Sequence, residues 1–244
     1  MKILLVLIGV LTVALIITLS LTIFDSNSNN KIINSNDNKL ILSDNNVIDT
    51  NKTQYIGNFH THTDCSDGED TYDEMIQESV RLNFDFIAIT DHEICLKNQE
   101  LCANEKRILC IPSQEVSTNK GHILAIDISE EISDELSIEE VIKEIHNQNG
   151  IAIAAHPLRE GNIIEESKLK LFDAIECNHP SYDNKEIQKS KELAQKYGLN
   201  CTYDSDAHSK NSLKNIYNIC EMNILNVEQM KKAIKNGNCH QNSS

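Results

Sequence analysis

From Tyr55 onward the chain alternates short apolar runs with stretches in which apolar residues recur every three or four positions. Short runs rich in β-branched residues suit strands, and the 3.6-residue period suits helices. The pattern predicts strands over Ile56–His60, Phe84–Thr90, Ile108–Val116, His122–Asp127, Ile151–Ala155, Ala174–Cys177 and Asn200–Tyr203. It predicts helices over Tyr72–Leu82, Ser137–Asn147, Lys185–Tyr197 and Val227–Lys235. Thr71, with Glu74 three residues later, forms a capping box for the first helix, and Gly198 stops the third. Strands alternating with helices indicate an α/β layout. No internal repeat is evident.

Ahead of this domain the pattern changes twice. From Ile3 to Phe24 there is no charged residue, and these 22 positions match the roughly 20 that a helix needs to cross a bilayer. The reading is an N-terminal transmembrane helix, residues 1–24, that anchors the chain. A cleaved signal peptide is the alternative, but its apolar region typically runs only about 7–15 residues, and no clear small-x-small site comes after it. Lys2 precedes the span and Lys31 is the first positive charge after it. The positive-inside rule then puts the domain on the outer face of the cell membrane, or in the medium if the segment is cleaved. Residues 25–54 are rich in Asn, Ser and Asp and read as a flexible tether. The Ile, Leu and Val between 33 and 48 leave a short docked strand open. Residues 55–244 form the expected catalytic domain.

The formal net charge of −15 falls wholly in that domain, because four lysines cancel four aspartates in residues 1–54. Such a surface repels nucleic-acid backbones, and no Lys/Arg stripe offsets it, so an extended nucleic-acid interface is not expected. Oligomeric state is not legible. The eight cysteines would suggest disulfides if the domain faces an oxidising space. There is no C-x-x-C pair, however, and several cysteines sit in apolar runs such as AIEC and RILCI, so burial as small hydrophobes is the expectation for most. Cys65, between His62 and Asp67, reads as a tolerated small residue.

The candidate chemistry lies where predicted strands end. NFHTHTDCSDG puts His60 and His62 two residues apart, so both imidazoles leave one face of a strand end and can grip one metal ion. An H-x-H alone is weak. Its weight comes from the motifs later in the chain: Ser66-Asp67-Gly68, Asp91-His92 in ITDHE, Glu115 in QEVST, His122 in GHIL, His156 in AAHP, and Asp206 and His208 in SDAH. Six of the nine histidines fall in these motifs. A barrel of parallel strands would gather them at its carboxyl-end mouth, together with Glu176.

In their order these motifs resemble those of the PHP (polymerase and histidinol phosphatase) superfamily, in particular its short stand-alone phosphoesterases, over Tyr55 to the chain end. The resemblance implies a distorted (β/α)7 barrel with a centre of two or three divalent metal ions. It further implies that His60, His62, Glu115 and Asp206 bind the first ion. Glu115 would bridge to a second held by His122 and His156, and Asp67, His92 and His208 would hold a third. Imidazole mixed with carboxylate suits Zn, Mn or Fe better than Mg or Ca. Clustered cations can share a hydroxide, aim it in line at phosphorus and neutralise both attacking and leaving oxygens.

Three further residues have roles assigned from their positions. Arg159, three residues after His156, could clamp a phosphate with its planar fork. His179 could protonate a leaving oxygen, a structural histidine beside Pro180 being the alternative. Asp91 is read as orienting His92 or its loop. The function expected is a metal-dependent phosphoesterase acting on a small phosphorylated substrate, such as a phosphomonoester or nucleotide bisphosphate. The alternatives are the same centre hydrolysing a non-phosphate bond and a non-catalytic binding domain held at a membrane; the intact ligand set stands against the latter.

Overall fold

In the computed structural model, residues 31–35, 38–43, 46–49, 52–162 and 164–242 are described. The expected membrane segment, 1–24, lies outside them. Among the described residues, no helix is long and apolar enough to cross a membrane. The chain divides into two units, 1–52 and 53–244.

In the first unit, β1 (Lys31–Ser35), β2 (Asn38–Ser43) and β3 (Asn46–Asp49) form an antiparallel sheet in that order. Ser35 pairs with Asn38 and Ser43 with Asn46, leaving two residues at each connection. Strand structure thus occupies much of the stretch whose Asn/Ser/Asp content suggested a tether. The Ile, Leu and Val between 33 and 48 contribute three strands rather than one.

The second unit is built on a nine-stranded sheet. Its strands are β4 (Gln54–Asn58), β5 (Phe86–Ile89), β6 (Leu109–Thr118), β7 (Gly121–Ile126), β8 (Ile151–Ala154), β9 (Ala174–Asn178), β10 (Asn200–Tyr203), β11 (Asn218–Glu221) and β12 (Cys239–Gln241). Their order is β10-β9-β8-β7-β6-β5-β4-β11-β12. β10 comes back beside β12, so the sheet is nearly closed. The seven strands expected from the sequence are β4 to β10. The expectation of seven strands in a (β/α)7 barrel needs two changes. β7 runs antiparallel between β6 and β8, because a hairpin rather than a helix joins it to β6. β11 and β12 add an antiparallel pair beyond β4.

Alternation along the strands sorts the core. Phe86 and Ala88, Leu124 and Ile126, and Ile151 and Ile153 belong to the enclosed cluster, which Met230, Ala233 and Ile234 of a terminal helix also join. Their neighbours Ile123, Ala125, Ala152 and Ala154 face the other way, and Ile87 and Ile89 pack with a third group. This is the two-residue period expected where both faces of a sheet are covered.

The covering helices are α1 (Tyr72–Arg81), α2 (Leu96–Asn104), α3 (Ile138–Asn147), α4 (Asn184–Tyr197) and α5 (Val227–Asn236). α1 carries the Thr71/Glu74 capping box, and α4 ends at Gly198 in the left-handed conformation, both as the sequence predicts. α2 is an addition to the four helices expected.

All eight cysteines are bonded, as Cys65–Cys95, Cys102–Cys110, Cys177–Cys201 and Cys220–Cys239. Burial as small hydrophobes describes the place of Cys102, Cys110, Cys177, Cys220 and Cys239 but not their chemistry. Pairing reflects adjacency: Cys220 and Cys239 are direct cross-strand partners on β11 and β12, and Cys177 and Cys201 lie on the neighbouring strands β9 and β10.

Candidate metal centre

Strand ends carry the polar residues to one mouth of the sheet. His60 and His62 follow β4, His92 follows β5, Glu115 lies on β6, His156 follows β8, His179 follows β9, and Asp206 and His208 follow β10. His122 opens the antiparallel strand β7. The β6–β7 hairpin sets it opposite Ser117, which returns it to the same mouth.

Four donor atoms from these residues nearly touch. His60 Nε2 lies 3.1 Å from each of His62 Nε2, Glu115 Oε2 and Asp206 Oδ1. His62 Nε2 lies 3.2 Å from Glu115 Oε2 and 3.1 Å from Asp206 Oδ1. Five of the six separations among these four atoms are thus 3.1–3.2 Å, and the mixture of imidazole nitrogen and carboxylate oxygen is one that zinc and its transition-metal neighbours accept. Asp206 Oδ1 is buried and makes no well-aligned hydrogen bond among the described residues, although His60 Nε2 and His62 Nε2 each lie 3.1 Å away. A buried carboxylate oxygen left so is costly unless a cation faces it. The residues present fit a metal ion.

The other oxygen of Glu115 faces elsewhere. Oε1 lies 2.8 Å from His122 Nδ1 and 3.0 Å from His156 Nε2, so one carboxylate borders two donor groups. Around Asp67 stands a third: His62 Nδ1 at 3.4 Å, His92 Nε2 at 3.3 Å and His208 Nε2 at 3.1 Å. In each of three sets the donor atoms lie within 4.8 Å of one another: His60, His62, Glu115 and Asp206; Glu115, His122 and His156; and His62, Asp67 and His92. All nine residues proposed from the sequence as ligands therefore meet at one mouth. The outermost group differs from the expected set in that His62 joins Asp67 and His92, while His208 contacts Asp67.

Backbone strain marks the same place. His156 and Asp206 have φ of 24° and 45°, values that cost energy for residues with a Cβ and persist where the surroundings enforce them. At Gly68 a Cβ would come within 2.7 Å of the His62 carbonyl oxygen. The Ser66-Asp67-Gly68 motif thus needs its glycine to fold Asp67 back over His62.

A profile of the PHP domain matches residues 58–235. This chain belongs to the PHP family. Among solved structures, its PHP domain is similar to a two-domain protein from Bacteroides vulgatus containing a predicted PHP-like metal-dependent phosphoesterase, at 17% identity and TM-score 0.66, covering 78% of this chain and 65% of that one. It is also similar to PsfC from Pseudomonas syringae, at 14% identity and TM-score 0.61, covering 79% and 93%. A third is a lesion-specific endonuclease from Pyrococcus furiosus, at 17% identity and TM-score 0.61, covering 77% and 57%. At these identities the likeness concerns the fold, and the match spans just under two thirds of the first protein's length. A search of the curated proteins returns no match.

Residues around the PHP centre hold its donors in place. Glu176 is fully buried; its Oε1 accepts from His60 Nδ1 at 2.8 Å and its Oε2 from the His156 backbone N–H at 2.5 Å. That leaves His60 Nε2 as the free donor, the arrangement in which an outer carboxylate fixes the tautomer of a metal-binding histidine. Its place at the end of a predicted strand sets Glu176 at the mouth, but no motif gives it a role. The available signal was a charged residue inside the otherwise apolar run AIEC. His92 Nδ1 lies 2.8 Å from Ser117 Oγ, a contact that no motif announces. Asp91 orients the loop rather than His92: it accepts from Thr63 N at 2.7 Å, Thr63 Oγ1 at 2.8 Å and Ser66 Oγ at 2.8 Å.

Arg159 and His179 both reach the centre. Arg159 Nη1 is 3.3 Å and His179 Nε2 3.0 Å from Asp206 Oδ2. Arg159 is half exposed in a cavity of about 340 Å³ that it shares with Asp67, His122, His156 and His208. His179 is buried, with Nδ1 2.7 Å from Ser181 Oγ.

The electrostatics of the donor cluster are those of protons standing in for cations. Burial opposes the charged form of His62, but the Asp206 and Glu115 carboxylates override it and raise its pKa to about 9. His60 is likewise pushed well up, against burial, by Asp206, Glu115 and Glu176. Burial favours the neutral acid at Asp206 and Glu115, yet the charge of His60 and the surrounding histidine contacts hold both well below the usual carboxylate range.

Proposed function

We propose that this PHP domain is a metal-dependent phosphoesterase that hydrolyses a small phosphorylated substrate, a phosphomonoester or nucleotide bisphosphate. The observation that carries the reading is the convergence of three donor groups on one mouth with an arginine at its rim. His60, His62, Glu115 and Asp206 would hold the first ion, Glu115, His122 and His156 the second, and Asp67, His92 and His208 the third. Bound Zn, Mn or Fe would supply the Lewis acidity that activates water at neutral pH and neutralises phosphoryl oxygens.

The chain's own residues do the rest. Arg159 exchanges its contact with Asp206 for a phosphate oxygen and binds it through two parallel N–H groups. Its removal should therefore act on substrate binding. His179 Nε2, already within hydrogen-bond distance of Asp206, is placed to carry a proton toward the leaving oxygen, with Ser181 steadying its other nitrogen. Glu176 holds His60 and the His156 backbone so that both keep their direction. The cavity size suits a small molecule, and the formal charge of −15 disfavours a nucleic-acid duplex.

The domain stands outside the cell membrane in this proposal, held by the apolar segment 1–24, or is secreted if that segment is cleaved. Four disulfides support the assignment, because such bonds persist in oxidising compartments. The test is a screen of phosphoesters with the full chain reconstituted with Mn, Zn or Fe. Turnover that is lost in the His60→Ala/Asp206→Ala variant supports the reading, and turnover that survives it overturns the mechanism. A chain that binds metal and turns over no member of a broad panel points instead to a carbonyl substrate or a binding role.

A further inference from the structure

The four disulfides are not equivalent. Cys102–Cys110 and Cys220–Cys239 join buried cysteines, and Cys177–Cys201 has one partner fully buried. Cys65–Cys95 alone joins an exposed cysteine to a half-buried one, and it lies at the metal centre. Cys65 is in the loop between His62 and Asp67. Cys95 lies three residues after His92 and immediately precedes α2.

The two loops it joins carry Asp67 and His92, whose side chains lie 3.3 Å apart. Both residues are on loops rather than strands, and Asp67 is the most exposed of the nine candidate ligands, with half its side chain open to solvent. Other ties between the loops are hydrogen bonds: Thr63 N and Oγ1 and Ser66 Oγ to Asp91, and Asn98 Nδ2 of α2 to Thr63 Oγ1 at 2.9 Å. α2 is in turn bonded to β6 through Cys102–Cys110, so the far end of this clamp is fixed to the barrel. Glu115, by contrast, lies on β6 itself, His60 is held from the barrel interior by Glu176, and the Asp206 side chain is buried.

We propose that Cys65–Cys95 is a positioning pair for Asp67 and His92, so that the outermost cation site is complete only while this bond is oxidised. The inference rests on the metal centre proposed above but not on its substrate. Opening the bond takes two electrons and two protons from a dithiol, which becomes a disulfide while Cys65 and Cys95 become thiols. Exposure makes this bond the first of the four to exchange. The two inner sites, which do not include Asp67 or His92, keep their ions. Loss of a supporting residue beside a ligand typically weakens metal affinity by about 10–100-fold, and the weakest of three binding steps should shift by that factor.

The experiment titrates Mn2+, a hard ion with little affinity for thiolates, into the metal-stripped full chain in detergent and reads stoichiometry and affinity by calorimetry. Asp67→Asn identifies the step that belongs to the outer site. In Cys65→Ser/Cys95→Ser that step alone should weaken about tenfold or more, while Cys220→Ser/Cys239→Ser loses thermal stability with all three steps retained. An unchanged outer step, or equal weakening of all three, would overturn the proposal. If the serine variant does not fold, the unmutated chain is reduced stepwise with a dithiol and mapped by mass spectrometry. The weakest-bound Mn2+ should leave as Cys65–Cys95 opens and return on reoxidation; release that tracks another bond refutes the clamp. The readout is binding, so a chain that holds three ions but hydrolyses no phosphoester leaves the clamp standing, and one that holds none in either state removes the centre itself.

Discussion

Replacing Glu176 by Gln changes one atom and no volume, and its consequence can be worked out from the contacts. Each carboxylate oxygen accepts one buried N–H: Oε1 from His60 Nδ1 at 2.8 Å and Oε2 from His156 N at 2.5 Å. A glutamine offers one oxygen and one NH2, so one of those two donors must face another donor. An unsatisfied buried polar group costs about 1–3 kcal/mol. For a domain of this size that lowers the Tm of the metal-free chain by about 2–12 °C.

A second effect acts on the metal. The neutral amide no longer draws the Nδ1 proton of His60 as a carboxylate does, so His60 Nε2 becomes a weaker donor. Loss of such a partner weakens metal affinity by about 10–100-fold, which is ~1.4–2.7 kcal/mol of binding. Calorimetric titration of Mn2+ or Zn2+ into the metal-stripped Glu176→Gln chain, with a melting curve at zero and saturating metal, measures both effects. The rise in Tm on saturation should be smaller than in the wild type by an amount that matches the lost affinity. Wild-type affinity and wild-type melting together would refute the role assigned to Glu176.

The other predictions concern separate parts of the centre. Arg159→Ala should raise KM about tenfold or more with metal affinity unchanged, because the guanidinium meets substrate and not cation; a changed metal stoichiometry would count against it. Gly68→Ala should destabilise the chain by about 1–3 kcal/mol in thermal melts, since a Cβ there meets the His62 carbonyl at 2.7 Å. The metal-free chain should also show a defined pH profile. His60 and His62 have raised folded-state pKa values, so the stability they contribute is complete below about 6.5 and is lost as pH rises through the folded value, about 9 for His62. Asp206 is depressed, so its contribution is present above about 3.9 and lost only as pH falls through its lower folded value. The Tm of the stripped chain should therefore decline between about pH 6.5 and 9, and saturating Mn2+ should abolish the decline by taking the place of the protons. A stripped chain that gains stability across that range contradicts the assignment.

How much of the fold is legible in the sequence depends on which residues generate a periodic signal. β5, β7 and β8 stand out because their side chains are largely apolar on both faces, the enclosed face and the helix-covered one. A run such as IAIA in β8 has no polar position to confuse it. β11 and β12 read NICE and CHQ. Four and three residues of mixed polarity carry no period, and what defines them is pairing with β4 and with each other. α2 reads LKNQELCAN, with no apolar stripe and no side-chain cap at Cys95. It is held instead by disulfides at its two ends, a constraint that periodicity does not record.

The centre was more legible than the scaffold because metal donors belong to few residue types and here recur at successive strand ends. What the motifs could not announce are the partners of those donors. Glu176 serves His60 from a strand 116 positions away, and Ser117 serves His92 from 25 positions away. Such pairs exist only once register is set: Glu176 lies on β9, whose neighbour β8 runs parallel to it and ends just before His156. A donor can thus be recognised by its own chemistry, whereas the residue that aims it is identified by where the sheet puts it. The Glu176→Gln titration tests that distinction directly, because a residue chosen by register alone should then control the affinity of a donor chosen by motif.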